Sequence, residues 1–140
     1  KNIIINGAMN VAQRGTTSTG SGFKVTDRWQ ASWNGGGVTQ AQVDITSGSP
    51  FDAGFRKALK LTNTTGAVAA ANYRDIRYTI EAQDIACSGW DSVSTSSNIT
   101  ISFWAKASVA QTYYCFHYVP DLWDRLYNIR SSSKYMGCLE

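Results

Sequence analysis

The chain has 140 residues, of which 16% are charged and 43% hydrophobic, and 13 Lys and Arg stand against 10 Asp and Glu for a formal net charge of +3. This length bounds one domain around a single core, and low charge with abundant Ser, Thr, Gly and Asn and two prolines is an all-β composition. Basic residues are scattered, as Arg14, Lys24, Arg28, Arg56 and Arg74 show, which argues against nucleic-acid binding, and no apolar run nears the roughly 18 to 20 residues of a membrane span, so no membrane insertion is expected.

KNIII predicts a short first strand, stopped by the turn signal Asn6-Gly7. Thr16 to Gly22 reads as a loop with nothing to bury. FKVTDRWQASW alternates through Phe23 and Val25, then Trp29, Ala31 and Trp33, a strand broken by AsnGlyGlyGly at 34–37. VTQAQVDI resumes with Thr39, Ala41, Val43 and Ile45 on one side, a spacing that suits a long hairpin or meander. SGSP at 47–50 is a turn, and ALKLTN, with Ala58, Leu59 and Leu61, is a strand of mixed faces.

In AVAAANYRDIRYTIEAQDI the alanines allow a helix, but Ile76, Tyr78, Ile80 and Ala82 alternate with Arg77, Thr79 and Glu81, so the second half is predicted as strand. GWDSVSTSSN then loops into NITISFWAKAS. There Ile99, Ile101, Phe103, Ala105 and Ala107 share one face, and Thr100, Ser102, Trp104 and Lys106 the other. After Gln111 the alternation fails among clustered aromatics. Pro120 marks a turn, and LWDRLYNI allows one short helix or a frayed strand pair. Turn signals roughly every 8 to 15 residues between alternating runs predict an antiparallel β-sandwich or jelly roll.

Residues for chemistry are sparse. His117 is the single histidine, set among Tyr and Phe with no readable Ser or Cys pairing. Cys115 shares its strand face, yet nucleophilic catalysis needs a third, orienting group. Cys87, Cys115 and Cys138 are odd in number and widely spaced, which fits neither a zinc site nor a disulfide framework. Asp75, Glu81, Asp84 and Asp91 are dispersed and read as strand-end and loop carboxylates rather than a glycosidase acid pair. No enzyme is expected. The glycine runs at 20–22 and 35–37 lack the Lys and the helix of a phosphate loop and read as turns. INGAMNVAQ is too short and polar for a signal-peptide core, and Lys at position 1 fits a piece of a longer, soluble chain.

Several pieces carry a resemblance: Asn2, Asn6 with Gly7, Gln13 to Gly15, Asp27 to Trp29, Ile80 with Glu81, and Ser102 to Ala107. In this order and spacing the chain, over about residues 2–114, resembles the domain of bacteriophage tail-fibre and related virion structural proteins with a carbohydrate-binding-module-like jelly roll. The resemblance implies a galactose-binding-like β-sandwich, a virion location in a tail or surface appendage, other virion proteins as partners, and a homo-oligomer, with a trimer favoured. Family members continue through several more strands after the SerPheTrp strand, and no such strands are visible in this sequence. It is therefore expected to hold a jelly-roll core at 1–112 and a divergent segment at 113–140, the sandwich being incomplete at its C-terminus unless that segment or another chain completes it.

The expected function is a non-enzymatic virion module that contacts host-surface glycan. The alternative is a carbohydrate-binding module of a secreted glycan-degrading enzyme. Trp33, Asn34, Trp90 and Asp91, at loop ends, are the candidates for a sugar platform, where aromatic faces stack on sugar rings and amide or carboxylate groups fix hydroxyls. Trp29 and Phe103 are assigned to the core, and Trp104 to packing beneath the N-terminal segment with Met9, Val11 and Ala12. Arg14 and Arg28 are assigned to structural hydrogen bonds and ion pairs with Asp27. No cofactor is expected. Structural calcium at Asp27, Asp44 or Asp52 stays unassigned, since no DxDxDG-like run is present.

Overall fold

The computed structural model describes residues 2–66, 69–91, 93–117, 127–131 and 135–139, the strands from 127 onward as backbone. Strands dominate: β1 (Thr17–Ser18), β2 (Trp29–Asn34), β3 (Val38–Asp44), β4 (Lys57–Asn63), β5 (Tyr73–Tyr78), β6 (Phe103–Lys106), β7 (Tyr113–His117), β8 (Tyr127–Ser131) and β9 (Tyr135–Leu139). Two short helices interrupt them, α1 (Ser49–Asp52) and α2 (Ala82–Ser88). The pairings given below are all antiparallel, so the chain is all-β in class. No described helix is long and apolar enough to cross a membrane.

Chain contacts divide the molecule into two units, Lys1–Trp104 with Gly137–Glu140, and Ala105–Met136. In the first unit one sheet has the order β1-β3-β4 and a second pairs β2 with β5. AsnGlyGlyGly therefore does not turn a hairpin between β2 and β3; it carries the chain from one sheet to the other. Gly35 and Gly36 take φ of 71° and 65°, values glycine adopts without the clash a Cβ brings. The hairpin that does form joins β3 to β4, from Val38↔Asn63 to Asp44↔Lys57. In the second unit β7 pairs with β8, from Tyr113↔Ser131 to His117↔Tyr127.

The core of the first unit is Met9, Val25, Trp29 and Leu59, with Ile4, Ile76 and Tyr78 packed against it. It draws on β2 and β5 from one sheet and β4 from the other. Trp29 is 3% exposed and its ring lies 5.0 Å from that of Tyr78 in a tilted pair, the offset geometry that the charge distribution of aromatic rings favours. Trp29 thus stands in the core as its alternation predicts.

Elsewhere the local pattern misleads. Residues 2–5 of KNIII form no strand: Ile4 N–H bonds to Asn2 Oδ1, and the chain turns over residues 5–8. The first strand instead falls inside the predicted loop, where Thr17 and Ser18 pair with Ala41 and Gln40. On β3 the buried residues are Val38 and Gln40, not the face of Thr39, Ala41 and Val43. β5 ends at Tyr78; Thr79 to Glu81, predicted to extend it, leave the strand, and Ala82 to Ser88 wind into α2. Gly89, left-handed at φ 80°, closes that helix, a position where glycine costs least.

The run Asn98 to Ser108 contributes only Phe103–Lys106 as strand. Without pairing to order the rest, the expected inward face is not covered: Ile101 is 37% and Phe103 38% exposed. Phe103 is therefore not a core residue, and Trp104 is half-buried. Of the segment expected to cover Trp104, Met9 instead enters the Trp29 core and Val11 is exposed. The predicted turn at Pro120, Trp123 and residues 122–126 of LWDRLYNI lie outside the described residues, as do the side chains of His117 and Cys138.

Candidate functional site

Four of the resembling motifs, Asn6 with Gly7, Gln13 to Gly15, Asp27 to Trp29 and Ile80 with Glu81, are joined by hydrogen bonds and ion pairs. Asn6 sits in the left-handed region at φ 56°, a conformation Asn tolerates better than most residues. Its Nδ2 donates to the carbonyls of Val11 and Asp27, each over 2.9 Å, and its Oδ1 accepts from Val11 N at 3.0 Å. Its carbonyl accepts from Trp29 Nε1 at 3.0 Å and from Met9 N at 3.0 Å. The AsnGly turn and the AspArgTrp segment are thereby stapled into one bracket. Tyr78 OH adds a bond from Ile5 N at 3.0 Å.

Arg28, also left-handed at φ 73°, reaches Glu81 and Asp84, the latter at 3.4 Å. The hydrogen bond to Glu81, and next one with Tyr78, raise its pKa above that of an ordinary guanidinium. Asp27 belongs to Arg14, at 3.9 Å, and accepts from Gln13 N. The ion pairs expected of both arginines exist, but Arg28 takes its partners from α2 and the residue before it rather than from Asp27.

A second cluster forms at the far end of the β2–β5 ribbon, whose register runs from Trp29↔Tyr78 to Asn34↔Tyr73. Arg74 donates to the carbonyls of Asn34 and Tyr73, both at 2.7 Å, to that of Gly35, and through Nε to Asn63 Oδ1 at 3.0 Å. Asn34 Nδ2 donates to Ala71 O at 3.4 Å. Gly35 faces the amide of Asn72 so closely that a Cβ would collide with it. Gly37 N bonds to Thr65 Oγ1, and Thr64 N to Gly37 O at 2.9 Å. This turn is held from several sides.

The four sugar-platform candidates are distributed as follows. Trp33 and Asn34 are successive strand residues, so their side chains leave opposite faces of the sheet. Trp33, half-buried, shares a face with Trp29 and Ala31; Asn34 is exposed on the other. Trp90 and Asp91 follow α2. Trp90 is half-buried with its N–H on Ser88 Oγ at 3.0 Å, and Asp91 spends Oδ1 on Val93 N at 3.0 Å, a loop-forming bond.

The carboxylates weighed for calcium or acid chemistry are likewise engaged or dispersed. Asp44 pairs with Lys57 at 2.6 Å, Asp75 with Arg77 at 2.6 Å, and Asp52 is exposed in α1. Among the described residues no group of three or more His, Cys, Asp and Glu could hold a metal ion. Cys87 is exposed; Cys115 is half-buried, and desolvation raises its thiol pKa.

Residues that sequence reading passed over hold much of this together. Gln40, 1% exposed, donates to the carbonyls of Gly20 and Gly22, and Gln42 donates to those of Met9, at 2.6 Å, and Asn10. A glutamine at an alternating strand position beside glycine-rich loops is the available signal, since loop carbonyls near a core need donors. Comparison with family models, with curated proteins and with solved structures finds no match.

Proposed function

We propose that this chain is a non-catalytic structural module of a bacteriophage tail fibre or similar virion appendage, a jelly-roll sandwich that contacts host-surface glycan. The observation that carries this reading is the use of the resembling motif residues. Asn6, Asp27, Arg28, Trp29 and Glu81 are spent on one another, across spans of up to 53 residues between Arg28 and Glu81. A motif whose polar groups are consumed inside the fold specifies architecture, whereas catalytic groups must face a substrate. That use fits a virion scaffold.

In this reading the chain acts as a homo-oligomer, with a trimer favoured, and several weak glycan contacts per assembly act together through effective concentration. The test is immunogold labelling of phage particles from cells that encode the chain. Gold on tail or surface appendages is the expected result. Particles that carry no label while the chain is expressed would remove the virion assignment.

A further inference from the structure

Successive pairs on the β2–β5 ribbon, Gln30↔Arg77, Ser32↔Asp75 and Asn34↔Tyr73, lie on one face, opposite to the face that carries Trp29, Ala31 and Ile76 into the core. Every residue of the outer face is polar or amphipathic. Tyr73 is 48% exposed, and the side chains of Arg77 and Asp75 are 52% and 36% exposed. We infer that this face is the glycan-contacting surface: the Tyr73 ring is the stacking platform, and Asp75, Arg77, Asn34, Ser32 and Gln30 are the hydroxyl-reading groups. The inference rests on the glycan reading above and names its site, away from the predicted positions Trp33 and Trp90.

The chemistry of the face selects the ligand. Asp75 and Arg77 cancel in charge and bond to each other at 2.6 Å, so the face offers no field that would gather a polyanion such as nucleic acid. It lacks the aliphatic side chains an apolar peptide would need. What it presents is an aromatic ring beside amides, a hydroxyl, a carboxylate and a guanidinium, a set that both donates and accepts at short intervals. A neutral polyhydroxylated chain matches that set, since each of its hydroxyls also donates and accepts.

Two details sharpen the match. Asp75 gives Oδ2 to Arg77, while Oδ1 is buried and has no hydrogen-bond partner among the described residues. An acceptor left unsatisfied in this way gains a partner when a sugar hydroxyl turns the carboxylate outward and takes the place of Arg77 on it. Arg74, whose Cα sits opposite Trp33, fixes the backbone carbonyls of Asn34, Gly35 and Tyr73. The Tyr73 end is thus ordered before any ligand arrives, which lowers the entropy cost of binding. Side chains on one face of a strand recur every roughly 7 Å, so Tyr73, Asp75 and Arg77 form a track for an extended oligosaccharide rather than a pit for a single ring.

The experiment is binding of the full chain to an array of immobilised neutral hexose oligosaccharides and bacterial O-chain and capsular polysaccharides, repeated with Tyr73→Ala, Asp75→Asn and Trp90→Ala. Circular dichroism melting confirms that each variant folds. Asp75→Asn covers the case in which Tyr73→Ala does not fold, and Tyr73→Phe, which removes only a hydroxyl, separates the ring from its hydroxyl. The expected result is a loss of roughly tenfold or more in affinity for Tyr73→Ala and for Asp75→Asn, with Trp90→Ala unchanged and Tyr73→Phe close to the parent. Binding that survives both ribbon substitutions but falls in Trp90→Ala would overturn this site and leave the glycan reading standing. Failure of the parent chain to bind any glycan on the array would overturn the glycan reading and this site together, leaving the virion assignment to the labelling experiment.

Discussion

The indole N–H of Trp29 donates to the backbone carbonyl of Asn6 over 3.0 Å, so the largest ring of the core is fixed by a residue that itself sits in a left-handed turn. A buried indole needs such a partner. Because Asn6 also donates through its side chain to Val11 and Asp27, the turn, the loop and the first residue of β2 stand or fall as one.

Substitution at Asn6 tests this. Asn6→Ala removes three side-chain hydrogen bonds and puts a less tolerant residue at φ 56°, with an expected loss of about 2–4 kcal/mol in a urea unfolding experiment. Asn6→Asp keeps the shape and the acceptor for Val11 N but turns a donor into an oxygen that faces two carbonyls. It should cost at least as much. An Asp variant as stable as the parent would mean the donor bonds contribute nothing.

A side chain at Gly35 would meet two separable strains. With φ of 71° and the Asn72 amide against its Cα hydrogen, Gly35→Ala should lose about 1–3 kcal/mol. Adding Asn72→Ala relieves the collision but not the backbone conformation, so the double variant should recover part of the loss. Full additivity of the two single effects would show that the amide plays no part.

The thiols should differ in reactivity. Cys87 is exposed, whereas burial raises the Cys115 thiol pKa and keeps it protonated to higher pH than an ordinary cysteine. At mildly alkaline pH, iodoacetamide followed by mass spectrometry should mark Cys87 well before Cys115. The linkage has a definite sign. Unfolding lets Cys115 ionise at its ordinary value, so the stability that its buried neutral form contributes is complete below that pKa and fades as pH climbs toward the raised one. Equal labelling rates would contradict the burial.

Tyr114 and Phe116 stack at 6.2 Å on one face of β7 and are 62% and 61% exposed. From Ala107 to Phe116 the sequence has no charged residue, and two-stranded ribbons are marginal alone. If the proposed trimer forms through this face, light scattering should give a trimer for the parent chain and a smaller species for Tyr114→Ser with Phe116→Ser. A parent that is monomeric at every concentration would remove the trimer.

How much could be read in advance depends on the range of the interaction. The strand character of Trp29 to Trp33, Thr39 to Val43 and Ala58 to Leu61, and the break at 34–37, follow from alternation and turn chemistry, which are local; the turn expected at 47–50 runs into α1 at Ser49. The partition of β2 and β3 into different sheets does not, because pairing partners lie far along the chain. α2 is masked by an alternation through Ile76 and Tyr78 that runs on past the end of the strand; Gly89, a good helix stop, is its sign in the sequence. The burial of Trp29 follows from local alternation. The roles of Gln40 and Arg74 do not, because a polar residue acquires its role only when folding decides which carbonyls surround it.

The nesting of the pairings bears on how the molecule comes into being. β2 pairs with β5, and the β3–β4 hairpin lies wholly between them in sequence. As the polypeptide leaves the ribosome, the inner hairpin can close once Asn63 has emerged, while β2 must wait for Tyr78. During that interval Trp29 lacks Tyr78, which is both its sheet partner and the ring packed against it. The long closure is entropically slower than the short one, so the outer ribbon is expected to be a late piece of the first unit to assemble. A truncated or stalled product ending before residue 78 would carry a complete hairpin with an unsheltered tryptophan beside it, a natural target for chaperone capture.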